Sequence, residues 1–332
     1  PALAVLAVAI MATPALAQVP RASDGKPDLT GFWTHASLTP LTRAPGNKTL
    51  VVDEMEAKRI ASGYAMAGVT EEGFKGATYS DPNKGAPPKG GKDFGVQAYD
   101  SFWMDPGASY AKVKGEYRSS WITYPANGRI PYTEAGIKAN TRSTSFDDYE
   151  IRPLPERCLM SFTGSAGPVL GNGMYNNTLQ IVQTQDHVMI LGEMVHEVRI
   201  IKINGKHGPA AIPQWSGDSV GHFEGNTLVV ETVNVEPKQG SLISLKGKVT
   251  ERFTRANEHQ VLYEYTVEDP TLYSQPWKGE MPLNVTNDKL YEYACLEGNY
   301  SMFNLLSGAR AYEREGRKNG ARKAIFAGVK DE

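Results

Sequence analysis

The chain has 332 residues, of which 40% are hydrophobic and 22% are charged, and its formal net charge is -2. This composition is that of an ordinary globular protein with enough residues for a large core. The small negative charge argues against nucleic acid and anionic membranes as partners, because both attract clustered basic residues.

Residues 1–17 form an apolar run that ends in Ala15-Leu16-Ala17. This small-x-small ending is typical of a signal-peptidase site, and the run is shorter than the roughly 20 apolar residues of a membrane span. No basic residue precedes the run, so we expect the sequence to start inside the leader and the mature chain to begin near Gln18. The alternative is a buried N-terminal helix. We predict a periplasmic or secreted protein without membrane insertion, since no later segment is apolar enough to cross a bilayer.

Residues 18–160 have no regular pattern and are predicted to be an irregular N-terminal elaboration. Within them, the apolar spacing predicts a helix over Asp53–Ala67, a strand over Tyr117–Tyr124 and a short helix over Thr133–Thr141. Thr78–Gly95 is rich in glycine and proline and predicts a long exposed loop, which is commonly a lid or an oligomer contact; a disordered segment is the equal alternative.

Residues 161–320 are predicted to form an antiparallel β domain, as a barrel or a sandwich, followed by a C-terminal helix. The run Val188–Ile203 is too long for one straight strand, and Gly192 is the natural place for a bulge. Asn204-Gly205 after it is a hairpin-type turn signal. The helix is predicted over Ser301–Arg317. The other predicted strands are Leu179–Thr184, Asp218–Phe223, Thr227–Val235, Lys248–Arg255, Gln260–Glu268 and Leu290–Cys295.

The chain has two cysteines, Cys158 and Cys295. An isolated pair in an exported protein most often forms one disulfide, and that is the prediction here. Two free buried thiols are the alternative. A redox pair is disfavoured because the spacing is not Cys-x-x-Cys.

Several motifs resemble those of a group of exported bacterial proteins to which no activity is attached, so the resemblance implies no chemistry. Members of that group often carry a histidine shortly before the sequence Glu-Arg-Phe, whereas residues 239–246, ahead of Glu251-Arg252-Phe253, contain none. Gly31-Phe32-Trp33 also resembles the Gly-x-Trp opening of lipocalins, which implies a ligand-holding barrel. The motifs that carry the first resemblance are Pro27-Asp-Leu-Thr-Gly-Phe-Trp33, Glu156-Arg-Cys-Leu159, Trp215-Ser-Gly-Asp-Ser219, Glu224-Gly-Asn-Thr-Leu-Val-Val230 and Glu292-Tyr-Ala-Cys-Leu-Glu-Gly-Asn-Tyr300.

The first candidate site is the hairpin around Gly225-Asn226. A two-residue turn would place Asp218, His222 and Glu231 on one face, with His222 as a general acid or base and Asp218 fixing its tautomer. A three-residue loop would move Glu231 to the other face. The alternative to this catalytic interpretation is a solvated strand face.

The second candidate site is a ligand-binding wall on the neighbouring strands. Alternation places Glu193, Glu197 and Arg199 on one face of the Val188–Ile203 run and His196 on the other. Arg199 would form an ion pair with a glutamate or clamp a carboxylate ligand. Aromatic residues would complete the wall, although ordinary core packing is the preferred explanation for them; these residues are Trp215, Tyr263 and Tyr265.

No metal or cofactor is predicted. His187, His196 and His222 could gather with nearby carboxylates, but their spacing matches no zinc motif, and no phosphate-loop, dinucleotide, haem or flavin motif occurs. The sequence therefore favours an exported protein that binds a small, partly apolar or aromatic organic molecule in a barrel-like cavity lined by the Trp215–Glu231 hairpin and the Gly192–Ile203 strand. The alternatives are a lyase, isomerase or hydrolase with a His–Asp pair, and a structural or assembly protein of the envelope. The oligomeric state is left open.

Overall fold

The computed structural model describes most of the barrel region and parts of the N-terminal region. The predicted leader over residues 1–17 and the predicted loop Thr78–Gly95 lie outside the described residues. The described ranges are 19–63, 106–107, 109–140, 146–162, 164–236 and 242–316.

The described chain contains thirteen strands and three α-helices. Short 3-10 turns lie at Tyr149–Ile151 and Met194–His196. The strands are β1 (Gly31–Thr34), β2 (Val51–Val52), β3 (Lys112–Val113), β4 (Glu116–Arg118), β5 (Ile122–Tyr124), β6 (Thr178–Gln183), β7 (His187–Gly192), β8 (Val198–Ile203), β9 (Asp218–Glu224), β10 (Thr227–Val233), β11 (Lys248–Arg255), β12 (Gln260–Glu268) and β13 (Trp277–Val285). The helices are α1 (Glu54–Gly63), α2 (Glu134–Asn140) and α3 (Tyr300–Arg314).

Nine of these strands close into a barrel, which confirms the predicted mainly β fold. Their order is β1-β6-β7-β8-β9-β10-β11-β12-β13, and β13 returns to pair with β1. All neighbours are antiparallel except β8 and β9, which run parallel. β5 adds to β13 at the side of the barrel, and β2, β3 and β4 form a separate small sheet.

Alternating side chains fill the inside of the barrel. On β12, Val261, Tyr263, Tyr265 and Val267 are all buried and share the inward face, as the period of two in a strand requires. The guanidinium of Arg255 lies 4.5 Å from the ring centroid of Trp33, which is also buried. The lumen is therefore a packed core.

The run Val188–Ile203 is not one long strand with a bulge at Gly192, as predicted, but two strands. β7 ends at Gly192, the chain reverses through Met194–His196, and β8 returns antiparallel with Val198 opposite Leu191. Val195 and His196 take left-handed backbone angles, with φ of 60° and 53°. The turn was missed because it carries apolar residues, so the strand-like pattern continues through it.

Asn204 has the left-handed φ of 53° that the turn prediction implied, but no hairpin follows. β9 pairs parallel to β8, with Ser219 opposite Ile201 and Gly221 opposite Ile203. Residues 204–217 are therefore a crossover connection, as parallel neighbours require.

The predicted last strand over Leu290–Cys295 is also wrong, because those residues are irregular. The last strand is β13, whose Gly279 and Pro282 are both unfavourable in a strand interior. Gly279 is required by packing, because a Cβ there would lie 2.2 Å from the hydroxyl oxygen of Tyr265.

The predicted helices agree better with the structure. Asp53 immediately precedes α1, and its carboxylate accepts the backbone N–H of Glu56 at 2.8 Å. Asn299 caps α3 in the same way, accepting the N–H of Met302 at 3.3 Å. The predicted strand Tyr117–Tyr124 is divided between β4 and β5. Within the described residues, no helix combines the length and the apolar character that crossing a membrane requires.

The predicted disulfide between Cys158 and Cys295 is present, and their Cα atoms are 5.7 Å apart. It joins the segment before the barrel to the segment that leads into α3. Asn299 strengthens the same junction, since its side-chain amide donates to the carbonyl of Glu156 at 2.8 Å.

We expect that replacing both cysteines, Cys158→Ser with Cys295→Ser, lowers the free energy of unfolding by up to about 5 kcal/mol, because the bridge closes a very long loop of the unfolded chain. The two positions are 137 residues apart. Urea titration followed by tryptophan fluorescence measures the loss, and reduced wild-type protein is the control and should match the variant. An unchanged midpoint in the double variant would show that the bridge does not stabilise the fold.

Candidate functional site

A buried ion pair crosses the inside of the barrel between β8 and β11. Both terminal guanidinium nitrogens of Arg199 donate to Glu251, with Nη2 3.0 Å from Oε1 and Nη1 in closer contact with Oε2. The hydroxyl of Tyr263 donates to the same Oε1 at 2.7 Å. Burial alone would lower the pKa of Arg199, but Glu251 beside it raises that pKa overall. The expected ion pair of Arg199 with a glutamate forms, but the partner is Glu251 of β11 and not Glu193 or Glu197 of the same run.

The loop between Gly164 and Met174 packs on this ion pair. The backbone N–H of Leu170 donates to the hydroxyl oxygen of Tyr263 at 3.1 Å. Gly167 lies so close to the guanidinium that a Cβ there would be 3.0 Å from Nη2 of Arg199, and its φ of +79° also favours glycine. The ion pair therefore sets the position of the loop above it.

This loop forms one wall of a cleft of about 580 Å³ at the end of the barrel. The volume falls in the range of pockets that hold small molecules. Polar side chains are few among the lining residues, and Glu197 is the only ionisable one in the described lining. The lining residues comprise Ser37–Leu41, Pro106, Trp121, Asn140, Leu154, Pro155, Met160–Phe162, Gly164, Gly167–Met174, Glu197 and Leu242.

Glu197 is only 8% exposed and lies just before β8. Its Oε2 accepts a hydrogen bond from the hydroxyl of Ser161 at 2.5 Å. Its Oε1 is buried and has no hydrogen-bond partner among the described residues. Burial raises the pKa of this carboxyl, and the hydrogen bonds from Ser161 together with the nearby charge of Arg199 offset only part of that effect.

Asn172 belongs to the same loop and holds the opposite wall of the cleft in place. Its side-chain N–H groups donate to the carbonyls of Ser37 and Thr39 at 2.5 and 3.3 Å. Its side-chain oxygen accepts the indole N–H of Trp121 at 2.7 Å. Both the amide and the indole are therefore committed to holding the wall.

His35 supports the same loop, although it was not among the residues predicted from the sequence. It is 2% exposed, burial lowers its pKa to about 4, and its Nε2 lies 3.2 Å from the carbonyl oxygen of Gly171. At neutral pH the ring is neutral, and Nε2 must carry the proton that faces the carbonyl. Alternation from the inward Trp33 could have identified His35 as buried.

The predicted turn register of the hairpin is confirmed, since Thr227 pairs with Glu224 and Glu231 with Val220. The predicted pairing of Asp218 with His222 does not form. Four residues of extended strand span about 13 Å, too far for one carboxylate to reach the ring. His222 is instead exposed, with Nε2 3.0 Å from Glu224.

His207 occupies the position that His222 was predicted to fill. Its Nδ1 lies 3.1 Å from Asp218 and its Nε2 lies 3.3 Å from Glu231. Lys202 also binds Asp218, at 2.8 Å, and Lys248 lies 3.6 Å from Glu231. These contacts tie the crossover after β8 to β9 and β10. Sequence spacing alone could not find His207, because its location depends on the parallel pairing.

The residues predicted to bind a ligand are divided between the cleft and other places. Glu197 lines the cleft, and Arg199 and Tyr263 lie beneath its loop. Tyr265 is part of the core and touches Trp277 edge to face, with ring centroids 5.6 Å apart.

The other three predicted ligand-binding residues do not line the cleft. Trp215 is 47% exposed on the crossover side. His196 is exposed in the turn before β8. Glu193 is buried, and its Oε1 accepts the side-chain amide of Asn176 at 2.6 Å.

The described residues contain no group of three or more histidines, cysteines or acids that could hold a metal ion. His187, His196 and His222 do not gather there. Comparisons with protein-family models, with curated proteins and with solved structures find no match to this chain.

We expect Arg199→Met to cost about 3–5 kcal/mol of unfolding free energy, because it leaves the Glu251 carboxylate buried without its cation. The double variant Arg199→Met with Glu251→Leu removes both charges and should recover much of the loss. Urea titration measures both. If the double variant were no more stable than the single one, the cost would come from packing and not from the unpaired charge.

Glu197→Gln should change stability in a pH-dependent way. The folded state raises the pKa of Glu197, so ionisation disfavours folding above the pKa of the unfolded chain, and that penalty disappears as the pH falls. The melting temperature of the variant relative to wild type should therefore rise between pH 4 and pH 8. Scanning calorimetry measures it, with Glu292→Gln at an exposed position as the control. A difference that stays constant with pH would contradict the raised pKa.

Proposed function

We propose that this chain is an exported protein that binds a small, largely apolar organic molecule in the cleft at the end of the barrel. The observation that carries the proposal is a cleft of about 580 Å³ with mainly apolar walls and one buried carboxyl. Binding pockets commonly have this composition, in which apolar walls supply affinity and a few polar groups set orientation. The Cys158–Cys295 disulfide supports export, because such bridges persist in oxidising compartments.

The proposed binding cleft lies elsewhere than the cavity that the sequence predicted. The cavity was predicted between the Trp215–Glu231 hairpin and the Gly192–Ile203 segment, inside the barrel. Large side chains such as Phe253 and Tyr263 fill that space. The proposed site is therefore at the mouth, and Glu197 is the residue that the two locations share.

A His–Asp enzyme remains the alternative function, and its pair would have to be His207 with Asp218. The Asp218 carboxylate already accepts the N–H of Gly208 at 2.5 Å and binds Lys202. Neither His207 nor Asp218 lines the cleft. These contacts favour a structural role for the pair, so we place binding ahead of catalysis. The assembly hypothesis depends on Thr78–Gly95, which lies outside the described residues.

Binding can be tested with the uncharged fluorescent probe N-phenyl-1-naphthylamine. We expect saturable fluorescence enhancement with wild type and an affinity about tenfold weaker with Met174→Trp, because the larger ring fills the cleft. Met174 lines the cleft and is 46% exposed, so the fold should tolerate the change.

Met55→Trp is the matched control, since Met55 is 78% exposed on α1 and does not line the cleft. It should bind the probe as wild type does. Equal weakening by both variants, or no saturable binding by wild type, would refute the proposed site.

A further inference from the structure

We infer that the cleft selects an apolar molecule with a protonated amine, which forms an ion pair with the carboxylate of Glu197. This inference rests on the binding function proposed above and assigns the chemical class of the ligand.

The described lining of the cleft can carry negative charge but no positive charge. Among its described lining residues there is no lysine, arginine or histidine, and Glu197 is the only acid. Arg199, the buried cation beneath the loop, does not line the cleft, and both of its terminal nitrogens donate to Glu251. A ligand carboxylate would therefore find no counter-ion in the lining and would meet another carboxyl group.

The cleft also has few free donors. The side-chain amide of Asn172 is committed to two backbone carbonyls, and the Trp121 indole is committed to Asn172. The lining contains prolines, which have no backbone N–H to offer; these are Pro40, Pro106, Pro155 and Pro168. These N–H groups are therefore taken, and a ligand that itself donates a hydrogen bond fits this lining better than one that needs a donor.

Glu197 supplies the acceptor for such a donor. One oxygen accepts from Ser161, and the other is buried with no partner among the described residues. A buried carboxylate oxygen without a partner is costly, and a charged N–H donor is the strongest partner that it can take. An ammonium group bound here would neutralise the carboxylate within apolar walls.

The test uses three probes that share one apolar part and differ in the polar end: 4-phenylbutylamine, 4-phenylbutan-1-ol and 4-phenylbutyrate. Isothermal titration calorimetry at pH 7.5 measures their affinities for wild type, for Glu197→Gln and for Glu193→Gln. Glu193 is the matched control, because it is a buried acid on the same turn that does not line the cleft. Far-UV circular dichroism verifies that each variant is folded.

We expect wild type to bind the amine at least about tenfold more tightly than the alcohol, and the carboxylate most weakly. Glu197→Gln should remove the preference for the amine and keep the affinity for the alcohol, whereas Glu193→Gln should retain the preference.

Equal affinities for the amine and the alcohol in wild type, or tightest binding of the carboxylate, would overturn the inference and leave the proposed function intact. An amine preference that survives Glu197→Gln would overturn it as well. If neither these probes nor N-phenyl-1-naphthylamine binds wild type, the proposed function fails together with the inference.

Discussion

The bidentate contact between Arg199 and Glu251 joins two strands that are not neighbours in the sheet, since β9 and β10 lie between β8 and β11. Both side chains point into the barrel, where an unpaired charge would cost several kcal/mol. Each charge therefore constrains the other, and together they fix the separation of two walls of the barrel. Tyr263 adds a third strand, β12, through its hydrogen bond to Glu251.

The geometry of the cleft follows from this contact. Tyr263 holds the backbone of Leu170, and the guanidinium of Arg199 leaves room only for glycine at position 167. The loop over the barrel mouth is thus positioned by the same ion pair that braces the core. Glu197 precedes Arg199 by two residues, so the rigid end of β8 also sets the one ionisable group of the described cleft. A substitution in the buried Arg199–Glu251–Tyr263 network would therefore alter the shape of the cleft without replacing any lining residue.

The sequence predicted the parts of the fold that local patterns determine. The hairpin register at Gly225-Asn226, the helix caps and the disulfide all follow from residue type and spacing. β13 was missed because Pro282 and Gly279 argue against a strand, and here the contacts of the closed barrel outweigh those local preferences. The candidate site was predicted only in part. Glu197 and Arg199 were predicted to share one face of a strand. Hydrophobic periodicity could not predict the chain reversal at Met194–His196 or the loop over the barrel.

The parallel pairing of β8 with β9 explains why one end of the barrel carries the cleft and another face carries the His207 cluster. A parallel neighbour requires a crossover, and residues 204–217 make that crossover on the outside of the barrel. The contacts of His207 with Asp218 and Glu231 hold the crossover against β9 and β10. Glu197 lies before the other end of β8, and its second carboxylate oxygen has no hydrogen-bond partner in the part of the chain that the structure describes. The sequence predicted two clusters of ionisable groups, one with Glu197 and one with Asp218 and Glu231. The carboxylate oxygen without a hydrogen-bond partner belongs to Glu197, which also lines the cleft. For this reason we assign ligand recognition to Glu197 and a structural role to His207.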